Sequence, residues 1–127
     1  MDKVIFSVDG TDTYWLGKFM HRVDVLRVCS KIQPVIPTIG MYEGIPEFSF
    51  IADREDFETY ILGGDYVKGQ DSFLYVSSDT SNRIHARLLS TDGSWKDIGE
   101  LKKVKKPKKR HTAWTYLPDE NLYWVTE

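Results

Sequence analysis

The alternation of apolar and polar positions predicts strands through most of the chain. Residues 3–8 alternate and are mainly β-branched or aromatic, which is typical of a strand. Segments 35–42 and 46–52 surround the turn residue Gly44 and predict a hairpin. The second half predicts five further strands, separated by connectors rich in turn residues, at 70–77, 83–90, 94–103, 112–117 and 121–125.

A helical period occupies residues 14–32, where apolar positions recur at spacings of three and four. The apolar stripe of this long helix is formed by Trp15, Leu16, Phe19, Met20, Val23 and Leu26. Pro34 ends the helix. A second, short helix is predicted over residues 53–62, with Asp53 as its N-cap.

These elements predict an α+β fold in which one long and one short helix pack on a curved, mainly antiparallel sheet. Short connectors between consecutive strands favour a meander in the C-terminal half. A length of 127 residues is sufficient for one hydrophobic core, and no linker divides the sequence. We therefore expect residues 1–127 to form a single globular domain.

The sequence predicts a cytoplasmic protein with no membrane contact. No apolar run approaches the roughly 18 residues expected of a membrane span. Residues 1–6 lack the pattern of a signal peptide. Cys29 is the single cysteine, which excludes an intramolecular disulfide and a cysteine-based metal site. Its apolar neighbours predict a buried, inert thiol.

The charges are distributed unevenly along the chain. Seven of the 17 Lys and Arg residues fall within nine positions that contain no acid. We call these residues the basic strip: Lys102, Lys103, Lys105, Lys106, Lys108, Lys109 and Arg110. Elsewhere 10 basic residues face 19 acidic ones, so the net charge of −2 combines an acidic body with a concentrated cationic segment. Such a segment can meet phosphates or an acidic protein surface.

Three interpretations of the basic strip are open. It binds nucleic acid through phosphates, with Trp114 or Tyr116 stacking on unpaired bases. Alternatively, it contacts a protein or an acidic ligand. Pro107 interrupts regular structure and favours the third interpretation, a solvated loop that adds only solubility.

Four aromatic residues follow the strip within eleven positions: Trp114, Tyr116, Tyr123 and Trp124. Alternation places Trp114 and Tyr116 on one face of a strand, as a sheet core requires. Tyr123 and Trp124 are adjacent, so on a strand they point to opposite faces. One of the pair therefore packs under another element or forms an exposed anchor for a partner. An edge strand that carries both is compatible with a homodimer.

A second candidate site is a small-molecule pocket built from polar residues on two predicted strands. Glu47 and Ser49 share one face of the first strand, and Gln70 and Ser72 share one face of the second. If the two strands pair, these four side chains converge. The alternative is the solvent side of a half-buried sheet.

Nothing in the sequence indicates catalysis, a metal or a cofactor. His21, His85 and His111 lack the spacing of a metal motif. No Gly-x-Ser-x-Gly elbow, Walker motif or dinucleotide fingerprint occurs. The acidic pairs lie at a predicted helix start and in a turn, where they have structural roles. We therefore expect a protein that is not an enzyme.

Three stretches of the sequence stand out together: GMYEGIPEFSF at 40–50, GQDSFL at 69–74 and NLYWV at 121–125. With them the chain resembles small uncharacterised accessory proteins of tailed bacteriophages and their prophages. That resemblance implies a setting in the host bacterial cytosol during infection. It implies no activity that can be assigned to individual residues.

Composition and resemblance together favour a phage-type accessory protein that binds a host protein and modulates or inhibits it, in counter-defence for example. The exposed aromatics would anchor the partner, and the basic strip would steer it. One alternative is a nucleic-acid-binding protein that uses the strip. The other is a sponge for a nucleotide signal, with the ligand near Glu47 and Gln70 and its phosphates on the cations.

Overall fold

The computed structural model describes residues 2–7, 14–31, 35–42, 44–62 and 72–126, apart from the side chain of Val28. The elements in chain order are β1 (Asp2–Ser7), α1 (Trp15–Cys29), β2 (Val35–Tyr42), β3 (Ile45–Asp53), α2 (Arg54–Tyr60), β4 (Ser72–Ser78), β5 (Ile84–Ser90), β6 (Trp95–Val104), β7 (Ala113–Leu117) and β8 (Leu122–Thr126). Their bounds agree with the predicted segments to within three residues. Pro34 and Gln70, which entered the predictions, lie outside the described residues.

The strands form a closed eight-stranded barrel, in the order β1-β3-β2-β7-β8-β6-β5-β4. All neighbouring strands are antiparallel, and β1 pairs with β3 on one side and with β4 on the other. The predicted open, curved sheet is therefore wrong. The predicted meander holds from β4 to β6 but then breaks, because β6 pairs with β8 and β7 pairs with β2. At eight strands, a barrel interior is filled by side chains or holds one small ligand.

Alternation along the strands produces two apolar cores, one on each side of the barrel wall. The inner core consists of Ile5, Ile51, Val76, Ala86, Leu101, Leu117 and Trp124. The outer core lies between the wall and the helices and consists of Val4, Phe6, Val25, Ala52, Phe57, Ile61, Phe73 and Tyr75. The single core of the sequence prediction is thus divided in two.

Helix α2 packs on the outer wall through its buried residue, Phe57. Phe57 is fully buried, and its ring centroid lies 5.5 Å from that of Phe6 and 5.1 Å from that of Phe73. Glu55 and Asp56 occupy the first turn, where the helix dipole favours acids. Asp53 is the N-cap residue as predicted, although its side chain makes no capping hydrogen bond.

Helix α1 lies in the opposite orientation to the one that its apolar stripe predicts. Among the described side chains of this helix, His21 and Val25 are the buried ones, whereas Phe19 is 59% exposed and Leu26 is 62% exposed. A helix turns about 100° per residue, so the stripe lies on the side facing away from the barrel. Within the described residues, no helix is long and apolar enough to cross a membrane.

Candidate ligand-binding cavity

A cavity of about 330 Å³ lies inside one end of the barrel. At this end β1, β5 and β8 finish, β4, β6 and β7 begin, and the β2–β3 turn lies nearby. The apolar lining includes Ile5, Leu74, Leu88, Ile98 and Leu101. The volume lies at the lower end of the range of roughly 300–1,000 Å³ that is typical of small-molecule sites.

Polar side chains line this cavity because they lie on the same strand faces as the residues of the inner core. Ser7 follows Ile5 by two positions, Ser49 precedes Ile51 by two, and Ser72 precedes Leu74 by two. The polar lining consists of Ser7, Tyr42, Glu47, Ser49, Ser72, Thr115, Trp124 and Thr126. Ser7 and Ser49 are direct partners in the β1–β3 ladder, so two hydroxyl-bearing residues lie side by side on the cavity wall.

Trp124 contributes part of its ring to the cavity lining. The residue is 5% exposed and belongs to the inner core. Its indole Nε1 is buried and has no hydrogen-bond partner among the described residues. Almost all buried polar groups in proteins are hydrogen-bonded, so this unpaired donor is unusual. The nitrogen has almost no accessible surface and therefore does not face the open space of the cavity.

Glu47 is the only Asp, Glu, Lys, Arg or His among the described residues that line the cavity. It lies beside the β2–β3 turn and is exposed, whereas Ser49, two residues further along β3, is 6% exposed. The charge is therefore placed towards solvent, and the deeper lining is uncharged. Ser49 has a hydroxyl that can both donate and accept a hydrogen bond.

The predicted polar pocket is partly reproduced, by a different route. Glu47, Ser49 and Ser72 line the cavity together. Their strands do not pair, since β1 lies between β3 and β4, and the predicted pairing is wrong. Closure of the barrel brings the residues together across β1 instead. Gln70 lies outside the described residues.

Most of the basic strip lies away from this cavity. Lys102 and Lys103 end β6, and the other five members belong to the β6–β7 connection. The strands β6 and β7 both pair antiparallel with β8, so they run parallel to each other and their connection must cross β8. Val125, which points outward from β8, is fully buried, as expected if the connection covers it.

The β6–β7 connection has local order. The Lys108 backbone N–H donates to His111 Nδ1 at 2.9 Å, and the His111 backbone N–H donates to the Lys108 carbonyl at 2.9 Å. Lys103 Nζ forms an ion pair with Glu120 Oε1 at 2.7 Å. The strip thus contains a turn, Lys103 is engaged in an ion pair, and the lysines of the strip are exposed.

We call the four aromatic residues that follow the basic strip the aromatic tail, and they separate into two groups: Trp114, Tyr116 and Tyr123 in one, and Trp124 in the other. Trp124 points into the barrel and Tyr123 points outward, as their adjacency predicts. The ring centroid of Tyr123 lies 5.3 Å from that of Trp114 and 4.9 Å from that of Tyr116. These three half-buried rings form a cluster on the outer wall, so Trp114 and Tyr116 share one face of β7 as alternation predicts. Tyr116 also donates its hydroxyl to Asn121 Oδ1 at 2.8 Å.

The three histidines lie in three separate environments. His21 faces the barrel from α1, His85 Nε2 lies 3.0 Å from Asp79 Oδ2, and His111 is buried in the β6–β7 connection. The His85 contact, with the backbone N–H of Arg83, lowers the pKa of Asp79. Within the part of the chain that is described, no group of three or more His, Cys, Asp or Glu residues is placed to hold a metal ion.

Sequence reasoning missed several cavity residues. Ser7 was treated only as part of a strand, and Thr115 was not considered. Each lies two residues from an inward-facing residue of its own strand. Alternation therefore places both inside the barrel once the closure of the sheet is known. The sequence left open which of Tyr123 and Trp124 faces away from the core, and the structure buries Trp124.

No protein-family model matches the chain, and no curated protein does either. No residue role is therefore carried over from another protein, and the resemblance to phage accessory proteins stays a prediction.

Proposed function

We propose that this protein binds a small molecule inside the barrel and functions by holding it. The carrying observation is the cavity of about 330 Å³, in which apolar walls surround a few polar residues, the buried Ser49 among them. Ligand sites are typically concave and mostly apolar with a small number of placed polar groups. An eight-stranded barrel of this size accommodates one small ligand.

The lining supports binding rather than catalysis. Among its described residues the cavity has hydroxyls, one carboxylate and an indole, with neither a thiol nor an imidazole. Nucleophilic catalysis needs a base within hydrogen-bond reach of the nucleophile. In the setting that the sequence suggests, a phage-encoded protein in the bacterial cytoplasm, such a site would sequester a host small molecule.

Nuclear magnetic resonance with small-molecule fragments tests this proposal. Fragments that bind in the barrel will shift the backbone amide resonances of Ser49, Ser72 and Thr115 together. The variant Ala113→Phe, which adds a ring to the cavity wall, will abolish those shifts. As a matched control, Phe48→Gln alters an exposed residue on the outer face of the strand that carries Ser49 and will leave them intact. Shifts confined to outer-wall residues would refute the cavity as the site.

A second candidate function, binding to a host protein, is favoured by the outward side of α1. Trp15, Phe19 and Leu26 are each more than half exposed on this helix. Large exposed apolar patches mark interaction surfaces. The exposed charges on α1 include Lys18, Arg22 and Arg27, whereas Asp24 is the helix's one acid and is half-buried. The fitting partner is therefore a protein with an apolar surface and an acidic rim.

This second candidate moves the predicted interface from the basic strip and aromatic tail to α1. Once a protein that binds directly to this chain has been identified, we expect the Phe19→Glu variant to lose binding to it. The Lys102→Glu variant, which alters the basic strip, should retain that binding. Analytical ultracentrifugation of the purified protein shows whether the exposed side of α1 binds a second copy of this chain instead of a host protein. A concentration-dependent dimer that Phe19→Glu dissolves would replace the host-protein proposal with self-association. Retention of the partner by Phe19→Glu would remove α1 from the interface.

We do not extend the proposal to nucleic acid. Lys103 is already paired with Glu120, and Trp114, Tyr116 and Tyr123 pack against one another beside the strip. Stacking on bases needs accessible aromatic faces.

A further inference from the structure

We propose that the cavity selects a ring-shaped molecule with hydrogen-bonding groups on two opposite edges, and that the hydroxyls of Ser49 and Thr115 bind those two groups. This inference rests on the proposed function and names the ligand class together with two residues that determine specificity. A heterocyclic base and a sugar ring both have this chemistry.

Ser49 provides a buried hydroxyl that is open to the cavity. The residue is 6% exposed, lies within β3 and lines the cavity. Its side chain has no hydrogen-bond partner among the described residues, and its Oγ, unlike Trp124 Nε1, is not fully enclosed. Buried polar groups are almost always hydrogen-bonded, so this one is placed to bind a molecule in the cavity. A hydroxyl both donates and accepts, so it suits either kind of ligand group.

Thr115 provides a second such hydroxyl, on β7. It lines the cavity and also has no side-chain hydrogen-bond partner among the described residues. A Cβ at Gly40 would lie 3.6 Å from Thr115 Oγ1, so this oxygen lies beside the bare inner face of β2. Because Gly40 has no side chain, β2 leaves the space between Thr115 and β3 open at this level.

The strand register sets the spacing of the two hydroxyls. β2 lies between β3 and β7, with Thr38 paired to Ser49 and Gly40 paired to Thr115. Two strand spacings and this offset along β2 separate Ser49 from Thr115 by about 12 Å. Hydrogen bonds of about 3 Å at each end leave about 6 Å between the two polar groups of the ligand. That distance spans a six-membered ring with one polar substituent on each side.

Apolar side chains supply the surfaces that cover the ring. Ile5, Leu88 and Leu101 line the cavity and can contact the faces of a flat or compact ring. A chain with a single polar end would reach one of the two hydroxyls and leave the other without a partner, so the site favours the ring. The neighbours of Ser49 and Thr115, along the chain and across the ladders, all belong to the described residues, so this part of the wall is fully defined.

Nuclear magnetic resonance titration of the full chain with two isomers tests this inference. In para-hydroxybenzamide the polar groups lie on opposite edges of the ring, and in ortho-hydroxybenzamide the same groups lie on one edge. We expect the para isomer to bind about tenfold more tightly, the scale of one hydrogen bond. Ser49→Ala and Thr115→Val remove the two hydroxyls with little change of shape, and each should weaken binding of the para isomer by about tenfold. Thr80→Val removes a hydroxyl from the exposed β4–β5 turn and should leave binding unchanged.

The outcomes separate this inference from the proposed function. Equal affinity of the two isomers, no binding of either, or no effect of Ser49→Ala and Thr115→Val overturns the inference, while other fragments that Ala113→Phe abolishes would still support the cavity as a site. Binding of the para isomer that Ala113→Phe leaves intact overturns both.

Competition identifies the source of the ring. Displacement of the para isomer by uracil supports a heterocycle and displacement by methyl glucoside supports a sugar, whereas displacement by octanol alone overturns the inference. Circular dichroism establishes that each variant is folded. If Ser49→Ala or Thr115→Val fails to fold, the comparison of the two isomers on the wild-type chain decides.

Discussion

Gly40 of β2 and Trp114 of β7 approach each other so closely that a Cβ at Gly40 would lie 2.9 Å from the Trp114 carbonyl oxygen. Gly40 is buried and is the register partner of Thr115, a cavity residue. The contact lies where β2 meets β7, which joins the β2–β3 hairpin to the C-terminal strands. Closure of the barrel around the cavity therefore depends on the absence of a side chain at position 40.

Gly40→Ala is accordingly expected to destabilise the protein. The obstructing atom belongs to the backbone, so the two strands must separate to admit the methyl group. We expect a loss of about 1–3 kcal/mol in the free energy of unfolding, the usual scale of overpacking. Urea denaturation measures it, with Thr80→Ala in the exposed β4–β5 turn as the control. An unchanged midpoint would contradict the close approach of β2 and β7.

Adjacent residues of α1 will respond oppositely to truncation. Val25 is 1% exposed and packs in the outer core, so Val25→Ala is expected to cost about 1–3 kcal/mol. Leu26 faces solvent, and Leu26→Ala is expected to change the unfolding free energy by less than about 0.5 kcal/mol. Thermal or urea denaturation of the two variants checks this orientation. A larger loss of stability from Leu26→Ala than from Val25→Ala would support the orientation that the apolar stripe predicts.

Phe57 is expected to be the most sensitive position of the outer core. It is fully buried, and its ring packs against Phe6, Phe73 and Tyr75. Phe57→Ala should cost about 3–5 kcal/mol, because it removes this ring and leaves a cavity beneath α2. Tyr60→Ala on the same helix removes a half-exposed ring and serves as the matched control. Equal losses from both variants would show that α2 does not dock through Phe57.

Cys29 predicts a pH dependence in the alkaline range. Partial burial raises the pKa of its thiol from an ordinary value of 9.0 to about 11. The folded protein therefore holds this proton more tightly than the unfolded chain does. The contribution to stability is fully present below pH 9.0 and is lost as the pH rises towards about 11.

The reaction of Cys29 with a disulfide reagent measures this shift. In the folded protein the rate should rise with a midpoint near pH 11, and in urea the midpoint should return to about 9. Cys29→Ala will remove the associated decline in stability between these values. A folded-state midpoint near 9 would contradict the burial of the thiol.

The local elements were predictable because each depends on nearby residues. The β1 alternation, the Gly44 turn and the period of α1 are all visible in short windows of sequence. Gly44 has a φ of 82°, which agrees with its predicted turn role. Barrel closure was not predictable in this way, since it depends on β1 pairing with both β3 and β4. Alternation indicates that a strand has two faces, but not which strands become its neighbours.

The candidate site shows the same division. Glu47, Ser49 and Ser72 could be predicted from their phase within single strands. The burial of Trp124 could not, because its adjacency to Tyr123 shows only that the two rings diverge. The predicted orientation of α1 is wrong for a related reason. A helical period shows that a helix has an apolar side, but not which element covers that side.

The indole resonances of the four tryptophans test the account most directly. In a ¹H–¹⁵N spectrum, titration with a small-molecule fragment that binds in the barrel should move the Trp124 indole peak, because this residue lines the cavity. The peak of the exposed Trp15 should stay in place. If the Trp124 peak remains unmoved while the fragment binds, or if only Trp15 or Trp95 responds, the barrel interior is not the ligand site.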